Sequence, residues 1–220
     1  MLKLWYEREM EKRLNIETMA FREWQDVTKT KDYNRTESTP YQAIDKLFEY
    51  YSLPDHANFV DIGCGLGRMA FYVHDRFNIP VTGIELNPLT FYDLQKNAER
   101  YQEQKRDLKR QEKAHFKKQI SAPLNFYCDY AERFPITKEQ NVFYFFNPFT
   151  THIFDLVIRN IENSIFEYPR TVDIVLYYPL YEVQQLIERK TIFERLGSVH
   201  LDEIFQDENE KFIVYQYLIM

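Results

Sequence analysis

The chain has little cysteine and little glycine. Only Cys64 and Cys128 occur in its 220 residues, and neither belongs to a Cys-x-x-Cys pair. That excludes a disulfide framework and sets a reducing, cytoplasmic compartment as the expectation. No apolar run approaches the roughly 18–20 residues that a membrane-spanning helix needs. The opening stretch, MLKLWYEREMEKRLN, is charged throughout and lacks the apolar centre of a signal peptide. The histidines, His56, His74, His115, His152 and His200, show no ligand spacing, so no metal site is expected. A net charge of −6 gives the whole molecule no general attraction to nucleic acid. Of only five glycines, three fall in one short stretch, FVDIGCGLGRMAF (59–71), which marks a backbone with special demands.

What is present is a ring-rich, foldable sequence, with aromatics at 17%. Residues 1–35 read as a helical extension, with Leu14, Phe21, Trp24 and Val27 as its packing stripe. Residues 36–220 read as the main domain. Thr39 before Pro40 predicts an N-cap and a first helical proline, opening a helix whose buried face is Ile44, Leu47, Phe48 and Tyr51. From Asn58 onward strands and helices alternate. The stretches NFVDIG, PVTGIEL, LNFYC, NVFYFF and TVDIVLYY are strands, and Asn87-Pro88 opens a long helix to about residue 118. Shorter helices follow near 66–77, 150–163 and 179–189. This alternation means a parallel sheet covered on both faces. SVHLDEIF and KFIVYQYLI close the chain as an antiparallel hairpin with no helix between them. The expectation is an α/β fold with a seven-stranded, mostly parallel sheet and a C-terminal antiparallel hairpin.

The glycine pattern is Gly63-x-Gly65-x-Gly67. The chain lacks GxxxxGK[ST], which excludes a P-loop, and Arg68 stands where a dinucleotide fingerprint needs glycine. Asp61 precedes the glycines, and the helix start that follows favours a carboxylate on the ligand. Glu85, at the tip of the second strand, is placed to accept hydrogen bonds from both hydroxyls of a ribose, which disfavours NADP. Asp129, ending the third strand, is a candidate acceptor for the adenine amine, with Leu86 or Tyr130 flanking the ring. Asn147, Pro148 and Phe149 end the fourth strand at the carboxyl edge, where α/β enzymes bind ligands.

These four strand-end motifs, VDIGCGLG, GIELN, CDY and FFNPF, resemble in order those of the class I S-adenosylmethionine-dependent methyltransferases. The resemblance covers residues 40–220 and implies a Rossmann-like fold and S-adenosylmethionine as cofactor. It implies that Asp61, Gly63, Gly65 and Gly67 line the methionine end, Glu85 the ribose and Asp129 the adenine, with the Thr-Pro-Tyr helix near the methyl group. The implied chemistry is an in-line displacement in which Asn147, Pro148 and Phe149 face the acceptor. Base-amine methylases often carry Asn or Asp, two prolines and an aromatic; this chain has one proline fewer. Cytosine C5 methylation needs a nucleophilic cysteine in that motif, and none is there.

The acceptor is read first as a small molecule or other undefined substrate. It is read second as an RNA or DNA base, gripped by the basic helix 96–118 with nine Lys/Arg against four Asp/Glu. The bland alternative for that helix is a solvated face. A non-catalytic cofactor-binding sensor and an NAD-dependent oxidoreductase stand as further readings. Cys64 reads as a small turn residue, and His152 as a helix-start residue more than a general base. Tyr177 and Tyr178 read equally as acceptor lining or sheet-end packing.

Overall fold

The computed structural model describes residues 2–24, 31–112 and 121–219. Seven strands form one sheet: β1 (Phe59–Ile62), β2 (Val81–Glu85), β3 (Leu124–Cys128), β4 (Val142–Phe146), β5 (Val172–Tyr177), β6 (Glu194–His200) and β7 (Lys211–Tyr217). Their order is β3-β2-β1-β4-β5-β7-β6. β1 to β5 run parallel, and β7 lies antiparallel between β5 and β6. β1, β2 and β5 are buried throughout and β4 nearly so, as expected of apolar runs covered on both faces.

Helices cover both faces. α1 (Leu2–Leu14), α2 (Tyr41–Tyr50), α3 (Arg68–Phe77) and α4 (Pro88–Glu112) contribute Leu14, Ile44, Phe71 and Tyr101 to one core layer. On the other face, α5 (Thr151–Glu167) and α6 (Tyr181–Lys190) contribute Phe154, Ile161 and Ile187. Among the described residues, no helix is long and apolar enough to cross a membrane. The chain leaves β1 towards β2 on one side, and β4 joins β1 on the other. The carboxyl ends of β1 and β4 therefore form the switch point, where ligands bind in open α/β sheets.

The structure corrects several local expectations. Thr39 does not cap α2. Its hydroxyl lies 2.5 Å from the Tyr144 hydroxyl, and the Tyr41 N–H donates instead to Glu7 Oε1 at 2.8 Å. The cap at Asn87 forms as read, with Oδ1 accepting from the N–H of Leu89 at 3.0 Å and of Thr90 at 3.4 Å. A short helix, α7 (Asp202–Phe205), occupies the hairpin where none was expected. The buried Leu201 anchors it, its carbonyl accepting the N–H groups of Ile204 and Phe205, and Asp202 and Glu203 suit a helix start. The N-terminal stripe is not one helix face. α1 ends at Leu14, and Arg22 pairs with Thr36 in an antiparallel bridge that needs extended chain. Phe21 is 67% exposed. Val27 and positions 113–118 lie outside the described residues.

Candidate functional site

Between β1 and α3 the chain passes through three left-handed glycines, Gly63 (φ +74°), Gly65 (φ +54°) and Gly67 (φ +89°). The N–H groups of Gly63 and Cys64 both donate to the Ile84 carbonyl at 2.9 Å, which fastens the turn to β2. Close approach bears on all three glycines, and a Cβ on Gly67 would lie 2.6 Å from Leu94 Cδ1. A Cβ on Gly63 would overlap Pro148, and one on Gly65 would lie 2.7 Å from Thr36 Cγ2. From α4, Asn97 Nδ2 donates to the Leu66 carbonyl at 3.0 Å and braces the turn from behind.

Two buried carboxylates meet this turn. Glu85 Oε2 accepts the Gly65 N–H at 3.0 Å, and Oε1 accepts the Asn87 N–H at 2.6 Å. Burial pushes Glu85 up to about 7, against the pull of these backbone donors. Asp61 is pushed up to about 8, first by burial and further by the charge of Glu85, while the Ala70 N–H opposes the rise. Asp61 Oδ2 is buried with no hydrogen-bond partner among the described residues. An orphaned buried oxygen of this kind marks a place for a donor or cation.

A cleft opens beside the turn. Gly63, Glu85, Leu86, Asp129, Pro148 and Phe149 line it, and residues 33–37 form its roof. Asp61, Gly65, Gly67 and Tyr130 do not line it, and the Cβ position of Gly67 meets Leu94 and Phe71 instead. Tyr130 packs edge-on to Tyr33, with ring centroids 6.4 Å apart. The roof is a strap bonded to the end of β4. Tyr33 bridges Phe149, the Asn34 N–H donates to the Pro148 carbonyl at 3.0 Å, and Asn34 Nδ2 donates to the Asn147 carbonyl at 2.7 Å. Free volume beneath the strap is only about 40 Å³, against the ~300–1,000 Å³ of ordinary ligand sites. A nucleoside-sized ligand therefore requires the strap to lift. Sequence reading missed this segment, since NRTES carries only the polarity of a loop.

At the carboxyl edge of the sheet, Asn147 (φ +38°) and Tyr178 (φ +50°) both hold the left-handed region, one at the end of β4 and the other after β5. Such strain costs about 1–3 kcal/mol per residue and clusters at functional sites. Asn147 Nδ2 donates to the Tyr178 carbonyl at 2.5 Å, which leaves Oδ1 to accept from a ligand. Pro148 packs on Gly63. Phe149 is 4% exposed and lies edge-on to Tyr33 and Phe145, each 6.3 Å away. The ring that reaches open space beside Asn147 is Phe146, joined by Tyr178, where a second chamber of about 670 Å³ adjoins the cleft. Tyr177 is packing, stacked on Phe212 at 4.7 Å.

Arg68, which broke the dinucleotide pattern, ties the N-terminal segment to the glycine turn. It is buried, donating to Glu7 Oε2 at 2.5 Å, Thr18 Oγ1 at 2.7 Å, the Thr39 carbonyl at 3.1 Å and Glu11 Oε1 at 3.4 Å. Its guanidinium lies 4.4 Å over the Tyr41 ring. On α4, Lys96 pairs with Asp93, Arg100 with Glu17 and Lys105 with Asp75. Arg106 is exposed and donates to Gln102 Oε1 at 3.5 Å, and the basic side chains from position 109 lie outside the described residues.

No family model matches the chain, and no curated protein matches it. Solved structures do. A methyltransferase from Pyrococcus furiosus matches with a TM-score of 0.58 at 14% identity, over 99% of this chain and 98% of that one. An RNA methyltransferase from Salinibacter ruber, in complex with S-adenosyl-L-homocysteine, matches at 0.52 and 16% identity, over 82% and 92% of the two chains. The Pyrococcus abyssi tRNA (uracil-54, C5)-methyltransferase, also in complex with S-adenosyl-L-homocysteine, matches at 0.54 and 12% identity. There the match covers 83% of this chain but 40% of that longer one. At these identities the likeness is one of fold, and the fold is that of the class I S-adenosylmethionine-dependent methyltransferases.

Proposed function

We propose that the protein is an S-adenosylmethionine-dependent methyltransferase that binds its cofactor in the cleft between β1 and β4. One observation carries this reading. Gly63, Glu85 and Asp129, far apart in sequence, line a single cleft beside the turn that follows Asp61. The residues fit the group. Glu85 would take the ribose hydroxyls and Asp129 the adenine amine, with Leu86 against the ring. The orphaned Oδ2 of Asp61 would serve the amino-acid end. Bound there, S-adenosylmethionine supplies an electrophilic methyl carbon on a sulfonium.

The chain's own work is positioning. Asn147 Oδ1 is free to hold an N–H or O–H of the acceptor, because Tyr178 already occupies the amide nitrogen. The strap, lifted and resting on the ligand, would exclude water, and fixing both reactants in line can supply about 7–11 kcal/mol of the barrier. The solved relatives in complex with S-adenosyl-L-homocysteine share the fold, which is compatible with this reading.

The test is transfer of a labelled methyl group from S-adenosylmethionine into extract fractions. Wild-type protein is expected to label a fraction that Glu85→Ala does not. Binding of S-adenosyl-L-homocysteine with no labelled fraction in any extract would contradict transfer and leave a cofactor-binding scaffold.

A further inference from the structure

We propose that the chamber beside Asn147 takes a small protonated amine, and that this amine is the methyl acceptor. The second half rests on the methyltransferase reading above. Position assigns the chamber to the acceptor: it shares Trp24, Tyr33, Asn34, Arg35, Glu37 and Phe146 with the cofactor cleft and has Asn147 in its own wall. Its volume of about 670 Å³ falls in the ~300–1,000 Å³ range of small-molecule sites.

The lining then sets the chemistry. Among the described residues, four carboxylates, Glu23, Glu37, Asp207 and Glu210, and one guanidinium, Arg35, line it. Arg35 is already held by Glu37 at 3.2 Å and Glu23 at 3.7 Å. Two of the acids are fixed in place: Asp207 accepts from the Tyr178 hydroxyl at 3.1 Å and the Asn209 N–H at 2.9 Å, and Glu210 accepts from the Tyr177 hydroxyl. The Asn209 N–H also holds the Asp207 carboxyl below its ordinary range, so it carries its charge. Trp24, Tyr33, Phe146 and Tyr178 supply aromatic surface in the same space. Carboxylates among aromatic rings attract an ammonium by charge and by the ring quadrupoles. The same acids repel a phosphate backbone.

The step balances with no reagent beyond water. The ammonium first gives one proton to water, because Glu37, which lines both cavities, is already held by Arg35. The freed lone pair on nitrogen forms the new N–C bond as the bond from methyl carbon to sulfur breaks. That electron pair stays on sulfur as a neutral thioether, and the methylated nitrogen carries the positive charge.

Calorimetric titration tests the proposal, on protein alone and on protein saturated with S-adenosyl-L-homocysteine. The probes are phenethylammonium with its neutral partner 2-phenylethanol, butylammonium with butanol, 3-phenylpropionate, and a uridine decanucleotide. Each ammonium is expected to bind about tenfold or more tightly than its alcohol, with no heat from the acid or the RNA. The double variant Asp207→Asn with Glu210→Gln should cut the ammonium preference about tenfold. If that variant does not fold, the wild-type ranking decides alone. Ammonium binding no tighter than the alcohols, or RNA or phenylpropionate binding more tightly, would overturn the proposal. The saturating titration separates the two readings. Binding of S-adenosyl-L-homocysteine without an ammonium preference sinks the amine alone. An ammonium preference without S-adenosyl-L-homocysteine binding upholds the chamber's specificity and sinks the cofactor.

Discussion

Glu85 and Gly65 hold one another: the carboxylate at the tip of β2 accepts the glycine N–H at 3.0 Å, so the acid that faces the cleft also fixes the glycine turn. Replacing it should therefore harm ligand binding twice. Glu85→Gln is expected to weaken S-adenosyl-L-homocysteine binding about 10- to 100-fold, the worth of one or two hydrogen bonds to a charged group. Calorimetry checks it, and unchanged affinity would remove Glu85 from the ribose site.

Stability should depend on pH through the two buried acids. Glu85 rises to about 7 and Asp61 to about 8, above the unfolded carboxylate range of about 4. The folded state therefore holds extra protons between those limits. The stability they contribute is fully present below about pH 4 and is lost as pH rises through 7 and 8. The melting temperature should fall between about pH 4 and 8 and level off above that, and it should fall by less in Asp61→Asn. A bound ligand that donates to these acids favours their charged forms, so S-adenosyl-L-homocysteine binding near pH 7 should release protons. Titrations in buffers of different ionisation enthalpy measure that release directly.

Arg68 anchors α1 and, through Thr18, the segment that follows it. It is 4% exposed, and its removal leaves Glu7 and Glu11 without their cation. Arg68→Ala should cost about 3–5 kcal/mol, the usual penalty for breaking a buried ion pair from one side. Urea unfolding followed by circular dichroism gives the number, and a loss below about 1 kcal/mol would show the network to be dispensable.

The strap should govern how fast the cofactor enters. Arg22 pairs with Asp93 on α4 and with the backbone of Thr36, which lies on Gly65. Arg22→Ala removes a partly exposed ion pair worth about 0.2–1 kcal/mol, so the strap should open up to about fivefold more often. Stopped-flow association of S-adenosyl-L-homocysteine should accelerate by a similar factor. An unchanged rate would mean that entry does not pass under the strap.

The sheet was legible because its signals are local. VFYFF and VDIVLY are apolar without alternation, Asn87 caps the helix it precedes, and three of five glycines mark one turn. The strap was not legible, because Tyr33 and Asn34 find their partners more than a hundred residues away, at Phe149 and Asn147. The role of Arg68 depends on Glu7 and Glu11, which only the docking of α1 brings near. Thr39 was misread for a similar reason: a distant tyrosine hydroxyl competes for its side chain and wins. For the candidate site, Gly63, Glu85, Leu86 and Asp129 could be placed at strand ends from sequence. The acidic and aromatic character of the neighbouring chamber could not, since Glu23, Glu37, Asp207 and Glu210 come from two distant loops.

The most direct measurement is calorimetric titration of the purified protein with S-adenosyl-L-homocysteine, with NAD titrated in parallel. Saturable heat from S-adenosyl-L-homocysteine and none from NAD is the expected result. Heat from NAD alone would contradict the cofactor reading and assign the Gly63–Glu85 cleft to a dinucleotide.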